Sequence, residues 1–479
     1  MSAIIENDNN KNKYNIVKAG LWYSIGNILI KGVSFFVLPI FTELMTTEEY
    51  GIFSIYTSYV SIFEVVILLG LSSTVRIAKF DEQTDFDKYM GTISYIPIVA
   101  TILSGILVNI YFLTNPSVEL LSMRQSLWNF LLVTSACSAV SGIVSAKLVI
   151  DTEYKKYMAY SMLNVLSSIG ISLLLCYTVF QNHDIYMARV WGMCLSSIIS
   201  SLFLLKISHI KLCLDKISLK KGLVWGIPLL FHTLATVILT QSDRIIINQI
   251  NGYSAAGIYS VAVTMITIPL TLYTSFESAW APWFYEKLKN KEYEIIKDVN
   301  NKYIIFFATI IAGFMLLCPD VIHIFTNYNY WDSVYSLIPL SISVFGEMLY
   351  SLPVNIEYYN KKTLWITTGT VMTVIINIGL DVVFIMQWGY IAAAYATTLS
   401  KLILFVFHWW LSKRIDKNDI FGKRTVLITL ISLFSLNVFT VYMASNTLVR
   451  VVVTILICIL FVIWVNKNKE DFKLFFHTK

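Results

Sequence analysis

The stretch Asn27-Ile-Leu-Ile-Lys-Gly-Val-Ser-Phe-Phe-Val-Leu-Pro-Ile-Phe41 sets one lysine, Lys31, inside an otherwise apolar run. Runs of the same kind recur from residue 19 to residue 465, and a helix crossing a bilayer core needs about 20 mostly apolar residues. The chain has 479 residues, 56% of them hydrophobic and 14% charged. A soluble domain carries about 25% charged residues, so this chain has too little polar surface to coat itself. The fold class expected is all-α and polytopic, with the bilayer as solvent. A transmembrane β-barrel is excluded, because its strands would be about 10 residues long and strictly alternating, and these runs are uninterrupted.

Reading apolar runs between charged breaks predicts fourteen spans: 19–42, 50–75, 91–113, 127–149, 159–180, 185–206, 222–247, 255–278, 303–324, 335–358, 363–387, 389–411, 425–444 and 447–466. Basic residues mark the cytoplasmic ends of spans. With the N-terminus inside, the cytoplasmic segments hold 30 of the 36 basic residues, and the outer loops hold only Arg124 and Arg450. One miscounted span would move every later loop to the other side and destroy that asymmetry. Both termini are therefore expected inside, and the net charge of +6 follows from topology without a nucleic-acid partner. The polar segment before residue 19 has no pattern for leader cleavage, so the first span is expected to remain as an anchor. The longest outer loop is expected at about 319–334, and Trp280, Trp283, Trp409 and Trp410 are read as interfacial belt residues. Neither the six cysteines nor the six histidines show metal-ligand spacing, and no phosphate-binding G-x-x-x-x-G-K-[ST] loop is present.

Internal likeness at an offset of about 200 residues pairs Lys18-Ala-Gly-Leu-Trp22 with Lys221-Gly-Leu-Val-Trp225, and Gly51-Ile-Phe-Ser-Ile55 with Gly257-Ile-Tyr-Ser-Val261. The organisation expected is a tail (1–18), a six-helix half (19–206), a basic linker (207–221) and a second six-helix half (222–411). Two added helices (425–466) and a second tail (467–479) complete it. Two parallel repeats are the arrangement of transporters that rock one half against the other.

Among the charged residues within spans, Lys31, Arg189, Arg244 and Lys401 stand out, with Glu64, Asp243, Glu347 and Asp381. A lysine or arginine at the bilayer centre costs about 2.5–3.5 kcal/mol on insertion scales, so each needs an offsetting partner. Ion pairing, Lys31 with Glu64 and Lys401 with Glu347 or Asp381, is one way. Facing a wet cavity is the other. The carboxylates can also bind H⁺ or Na⁺, since burial disfavours the charged form.

The segments Tyr23-Ser-Ile-Gly-Asn27, Lys31-Gly32, Leu38-Pro-Ile40, Glu48-Glu-Tyr-Gly51 and Gly70-Leu71 with Arg76 resemble those of bacterial polysaccharide repeat-unit flippases. These are Wzx-type transporters of the multidrug/oligosaccharidyl-lipid/polysaccharide exporter superfamily. Gly226-Ile-Pro228, Ser242-Asp-Arg244 and Ala256-Gly-Ile-Tyr-Ser260 extend the resemblance. It implies a MATE-like fold in the bacterial inner membrane and transfer of an undecaprenyl-pyrophosphate-linked oligosaccharide to the outer leaflet, for O-antigen, capsule or lipopolysaccharide. It also implies a polysaccharide polymerase and chain-length machinery as partners, with no cofactor beyond H⁺ or Na⁺ coupling. On this reading Lys31, Arg189, Arg244 and Lys401 receive the pyrophosphate, while Glu64, Asp243, Glu347 and Asp381 pair with them or couple the ion. Two rival readings remain open. A drug/cation antiporter of the same superfamily usually has twelve spans and would call for a net anionic cavity; the balance of intramembrane charges does not by itself specify the substrate. A membrane-embedded polymerase would need a large outer loop, which the spacing leaves no room for.

Overall fold

The protein, seen as a computed structural model, is described over residues 32–33, 35–115, 119–121, 123–181, 183–418 and 420–468. Lys31 and the tails lie outside these residues. Among the described residues the chain is helical, with one isolated bridge between Leu120 and Met123. The helices are α1 (Phe35–Leu44), α2 (Thr47–Leu68), α3 (Leu71–Phe80), α4 (Phe86–Thr114), α5 (Gln125–Ile150), α6 (Tyr154–Thr178) and α7 (Ile185–Ile207). They continue as α8 (Lys216–Lys289), α9 (Tyr293–Phe325), α10 (Ser333–Tyr359), α11 (Thr363–Trp388), α12 (Ile391–Ile415), α13 (Lys423–Tyr442) and α14 (Thr447–Lys467). Every expected span from residue 50 onward falls on these elements, and the chain is an all-α, multi-pass membrane protein.

Two expected boundaries are drawn differently. The spans predicted at 222–247 and 255–278 join as α8, 74 residues long, bent at Gly252 with φ 84° and ψ 175°. A straight helix of that length would measure about 110 Å, several times a bilayer core, so the bend divides α8 into a first arm (216–251) and a second arm (253–289). Only glycine takes such a φ without strain. Conversely, the span predicted at 50–75 breaks into α2 and α3 where Leu69 and Gly70 are both left-handed, at φ 49° and 72°. The expected loop 319–334 is also shorter: α9 runs on to Phe325 and α10 begins at Ser333, so the outer connection is 326–332. Arg450, expected in a loop, lies one turn into α14 and is wholly buried.

The contacts group the chain into two compact units, residues 1–245 and 246–479, which part inside the first arm of α8. The repeat reading divides the chain earlier, at 207–221; it concerns likeness of sequence, whereas the units reflect packing. The reason the first arm packs with unit 1 is visible at its glycines. A Cβ on Gly70 would overlap the carbonyl oxygen of Gly226, and one on Gly226 would lie 2.5 Å from the Leu69 carbonyl oxygen. The α2–α3 break therefore touches the α8 backbone directly, which only two glycines allow.

Elsewhere in unit 1 the helix ends are tied by polar groups. Thr46 and Glu49 form a capping box at the start of α2. The other oxygen of Glu49 accepts the Ile185 N–H at 2.7 Å, which caps α7 as well. At the opposite, lysine-rich end, Lys221 donates to Asp81 (2.8 Å), Thr84 (2.7 Å) and the Gln83 carbonyl (3.0 Å). The hydrogen bond from Lys221 holds the Asp81 carboxyl below its ordinary value, helped by Thr84. Asp151 likewise accepts from Lys79 at 2.8 Å and Lys147 at 3.0 Å. Between these ends Val140, Val144, Leu148 and Leu204 form an apolar core.

In unit 2 α10 is the central helix, with 89% of its most apolar window buried against 11% for α14. It lies beside α12, where the Thr398 hydroxyl donates to the Pro339 carbonyl at 2.8 Å. The outward-facing α14 is fastened by one ion pair: Arg450 donates to Asp320 on α9 at 2.7 Å and to the Ala444 carbonyl at 3.1 Å. Burial also corrects the belt reading of Trp280. Because α8 continues to Lys289, Trp280 is fully buried and stacks on Phe284 (4.6 Å) and Tyr303 (5.8 Å). Trp410, by contrast, is exposed and carries the Arg414 guanidinium at 3.9 Å from its ring centroid.

Candidate functional site

The intramembrane charges fall into two settings. In unit 1, Arg189 lies one turn into α7 with its guanidinium 3.9 Å from the Phe41 ring centroid and 4.5 Å from that of Phe53. Among the described residues it meets no carboxylate, and its buried Nε has no acceptor. Aromatic faces attract a guanidinium by about 0.5–2 kcal/mol, and they leave its N–H edge uncommitted. Glu64, half-buried on α2, has no hydrogen bond or ion pair among the described residues. Arg244 donates to Gln241 at 3.1 Å, and its neighbour Asp243 is buried.

In unit 2 the expected alternatives for Lys401 resolve: its ammonium pairs with Glu347 on α10, and Asp381 is wholly buried on α11. The pair is open on one side, with side-chain exposures of 18% and 29%. Within a span, such a pair offsets the cost that either charge alone would carry.

Two further groups in unit 2 escape a reading by apolar runs. Glu277 looked terminal because the apolar run fades there, yet it lies in the middle of the second arm of α8. It accepts from Ser351 at 3.0 Å and from Asn355 at 2.9 Å. Glu347, Ser351 and Asn355 recur every four residues, so one face of α10 carries them all; that spacing was a readable signal. The other group is His408 on α12, whose Nδ1 lies 2.8 Å from Glu357 on α10, both residues wholly buried. Gly369 makes room for it, because a Cβ there would overlap the His408 Nε2. Each partner sits near a helix end and in isolation resembles an interfacial residue.

Residues 16–288 match the family described as polysaccharide biosynthesis protein. The chain belongs to that family. The matched segment contains the Gly70–Gly226 contact, Glu49, Arg189 and the Gly252 bend of this family member. Among its relatives, an uncharacterized membrane protein of Haemophilus influenzae is 24% identical over 429 residues, covering 84% of this chain and 98% of its own length. The Lsg locus putative protein 1 of the same organism is 22% identical over 417 residues, covering 84% and 99%. Among solved structures, the lipid II flippase MurJ in an inward closed conformation covers 93% of this chain and 99% of its own, with TM-score 0.66 and 17% identity. An inward-facing MATE-family multidrug transporter of the MOP superfamily covers 84% and 99%, with TM-score 0.57 and 13% identity. The family member thus shares its fold with these solved structures, MATE-like as the resemblance implied.

Proposed function

We propose that this protein is a flippase that carries an undecaprenyl-pyrophosphate-linked oligosaccharide from the cytoplasmic to the outer leaflet of the bacterial inner membrane by alternating access. Membership of the polysaccharide biosynthesis family over residues 16–288 carries the reading. The larger share covered by the lipid II flippase, 93% against 84% for the multidrug transporter, supports it. The basic helix ends face the cytoplasm with both termini. The pyrophosphate is an anion that must leave water, and a cation at low dielectric replaces its lost hydration. Arg189, held by rings and meeting no carboxylate among the described residues, suits that role. Lys401 serves it by exchanging Glu347 for phosphate, and Lys31 and Arg244 complete the cationic set. Glu64, Asp243, Glu347 and Asp381 are the groups through which H⁺ or Na⁺ is coupled. The product then meets the polymerase and chain-length machinery of O-antigen, capsule or lipopolysaccharide assembly.

Deleting the gene and following lipid-linked repeat units tests this. Accumulation in the cytoplasmic leaflet, reversed by the plasmid-borne gene, is the expected result. Unchanged glycolipid with altered sensitivity to cationic dyes would favour the drug/cation antiporter instead, a reading that the MATE likeness keeps in play.

A further inference from the structure

The second arm of α8 and the facing side of α10 build a polar and aromatic strip that neither ion pairing nor helix packing requires. The Asn355 amide is held from three sides. Its nitrogen donates to Glu277 (2.9 Å) and to the Ser351 carbonyl (2.8 Å), and its oxygen accepts the Tyr285 hydroxyl at 2.6 Å. Beyond it the Tyr285 ring stacks on Tyr359 with centroids 6.2 Å apart and planes 20° apart. Asn355 is buried, Glu277 and Tyr285 are half-buried, and Tyr359 is 42% exposed. The strip therefore grades from a fixed hydrogen-bonding floor to an open aromatic face.

From these groups we infer that the Glu277–Asn355–Tyr359 strip of unit 2 binds the glycan of the transported molecule, an inference that rests on the flippase reading. A pyranose offers hydroxyls that both donate and accept around its edge and an apolar C–H face. Glu277 uses one lone pair on each oxygen and keeps others for sugar hydroxyls, since a carboxylate has about four acceptor positions. The exposed Tyr359 ring gives the C–H face a flat apolar surface. A phosphate fits badly, because Glu277 would repel it. A seal between helices would leave no polar group open, yet the neighbouring Thr274, Ser275 and Ser278 are exposed on the same arm. Their hydroxyls bond back to their own helix.

Saturation-transfer NMR on the protein in nanodiscs tests this. The probe is the free repeat-unit oligosaccharide released from the host strain's surface polysaccharide. Transfer to ring protons is expected with the native protein and with Tyr359→Trp. Asn355→Ala and Tyr359→Ala should each weaken binding about tenfold, the loss of one or two net hydrogen bonds or an equivalent contact. Because Tyr359 is at the open edge, its two variants decide the matter even where Asn355→Ala fails to fold. No transfer to the native protein, or equal transfer to Tyr359→Ala, would overturn the strip, as would its displacement by tetraphenylphosphonium, which would mark a cation site. Binding without translocation in proteoliposomes sinks the flippase reading and leaves the strip standing. Translocation without oligosaccharide binding does the reverse.

Discussion

Among the described residues, the two units differ in how they hold the cations within their spans. Unit 1 pairs its charges at the lysine-rich helix ends, in Asp81–Lys221 and in Asp151 with Lys79 and Lys147, and holds Arg189 by rings alone. Unit 2 also pairs charges toward its helix ends, in Lys287–Glu292, Lys302–Asp298 and Glu357–His408, and in addition pairs Lys401 with Glu347 inside a span. Removing one partner of a desolvated pair strands the other charge, so Lys401 is committed to a carboxylate, Glu347. The Arg189 guanidinium is not. A cation held by aromatic faces can still take an anion without first losing a carboxylate.

That contrast can be broken most directly at the contacts each unit depends on. Gly70→Ala should abolish folded protein, since a left-handed alanine costs about 1–2 kcal/mol and its Cβ overlaps the Gly226 backbone. Gly142→Ala, with open space around it, should fold normally; detergent gel filtration of both variants reads the difference. In unit 2, His408→Leu should cost about 3–5 kcal/mol by stranding a buried partner, and Glu357→Leu with His408→Leu should regain most of it. Melting curves in detergent measure this, and equal instability of single and double variants would remove the pair from its structural role.

Transport sharpens the comparison next. Arg189→Lys should slow translocation about tenfold, because lysine keeps the charge but lacks the planar fork that stacks and binds phosphate in two-pronged fashion. Lys401→Ala should be rescued in part by Glu347→Ala, whereas no second-site carboxylate change should rescue Arg189→Lys. Initial rates in proteoliposomes decide it. The smallest effect lies at the helix ends. The Asp81 carboxyl is depressed in the folded state from 3.8 by the hydrogen bond from Lys221, so its contribution is full above about pH 4 and fades as pH falls through the lowered value. Asp81→Asn should therefore melt below the native protein at pH 7, with the gap closing toward pH 3.

Several site features were legible because they are local. Lys401, Glu347 and Asp381 stand out as charges in apolar runs, and the pairing of Lys401 with Glu347 was one of two alternatives the sequence left. Glu277 and His408 were not legible. Glu277 stands where hydropathy falls although the helix continues about three turns toward Lys289, and Trp280 was misjudged for the same reason. His408 and Glu357 are 51 residues apart, and nothing in either segment names the other. Lys31, the residue that first demanded an explanation, lies outside the described residues.

Composition and charge spacing alone determined that this chain is a helical membrane protein, where its helices run, and which residues are out of place in lipid. Those properties follow from the bilayer's thickness and dielectric, which act on each segment independently of its neighbours. Which residues share a partner was decided only by tertiary structure: Gly70 against Gly226, Lys401 with Glu347, Asn355 between Glu277 and Tyr285. Such pairings depend on helix rotation and crossing, set by many weak contacts at once, and in hydrocarbon no residue announces from its own segment which way it will turn.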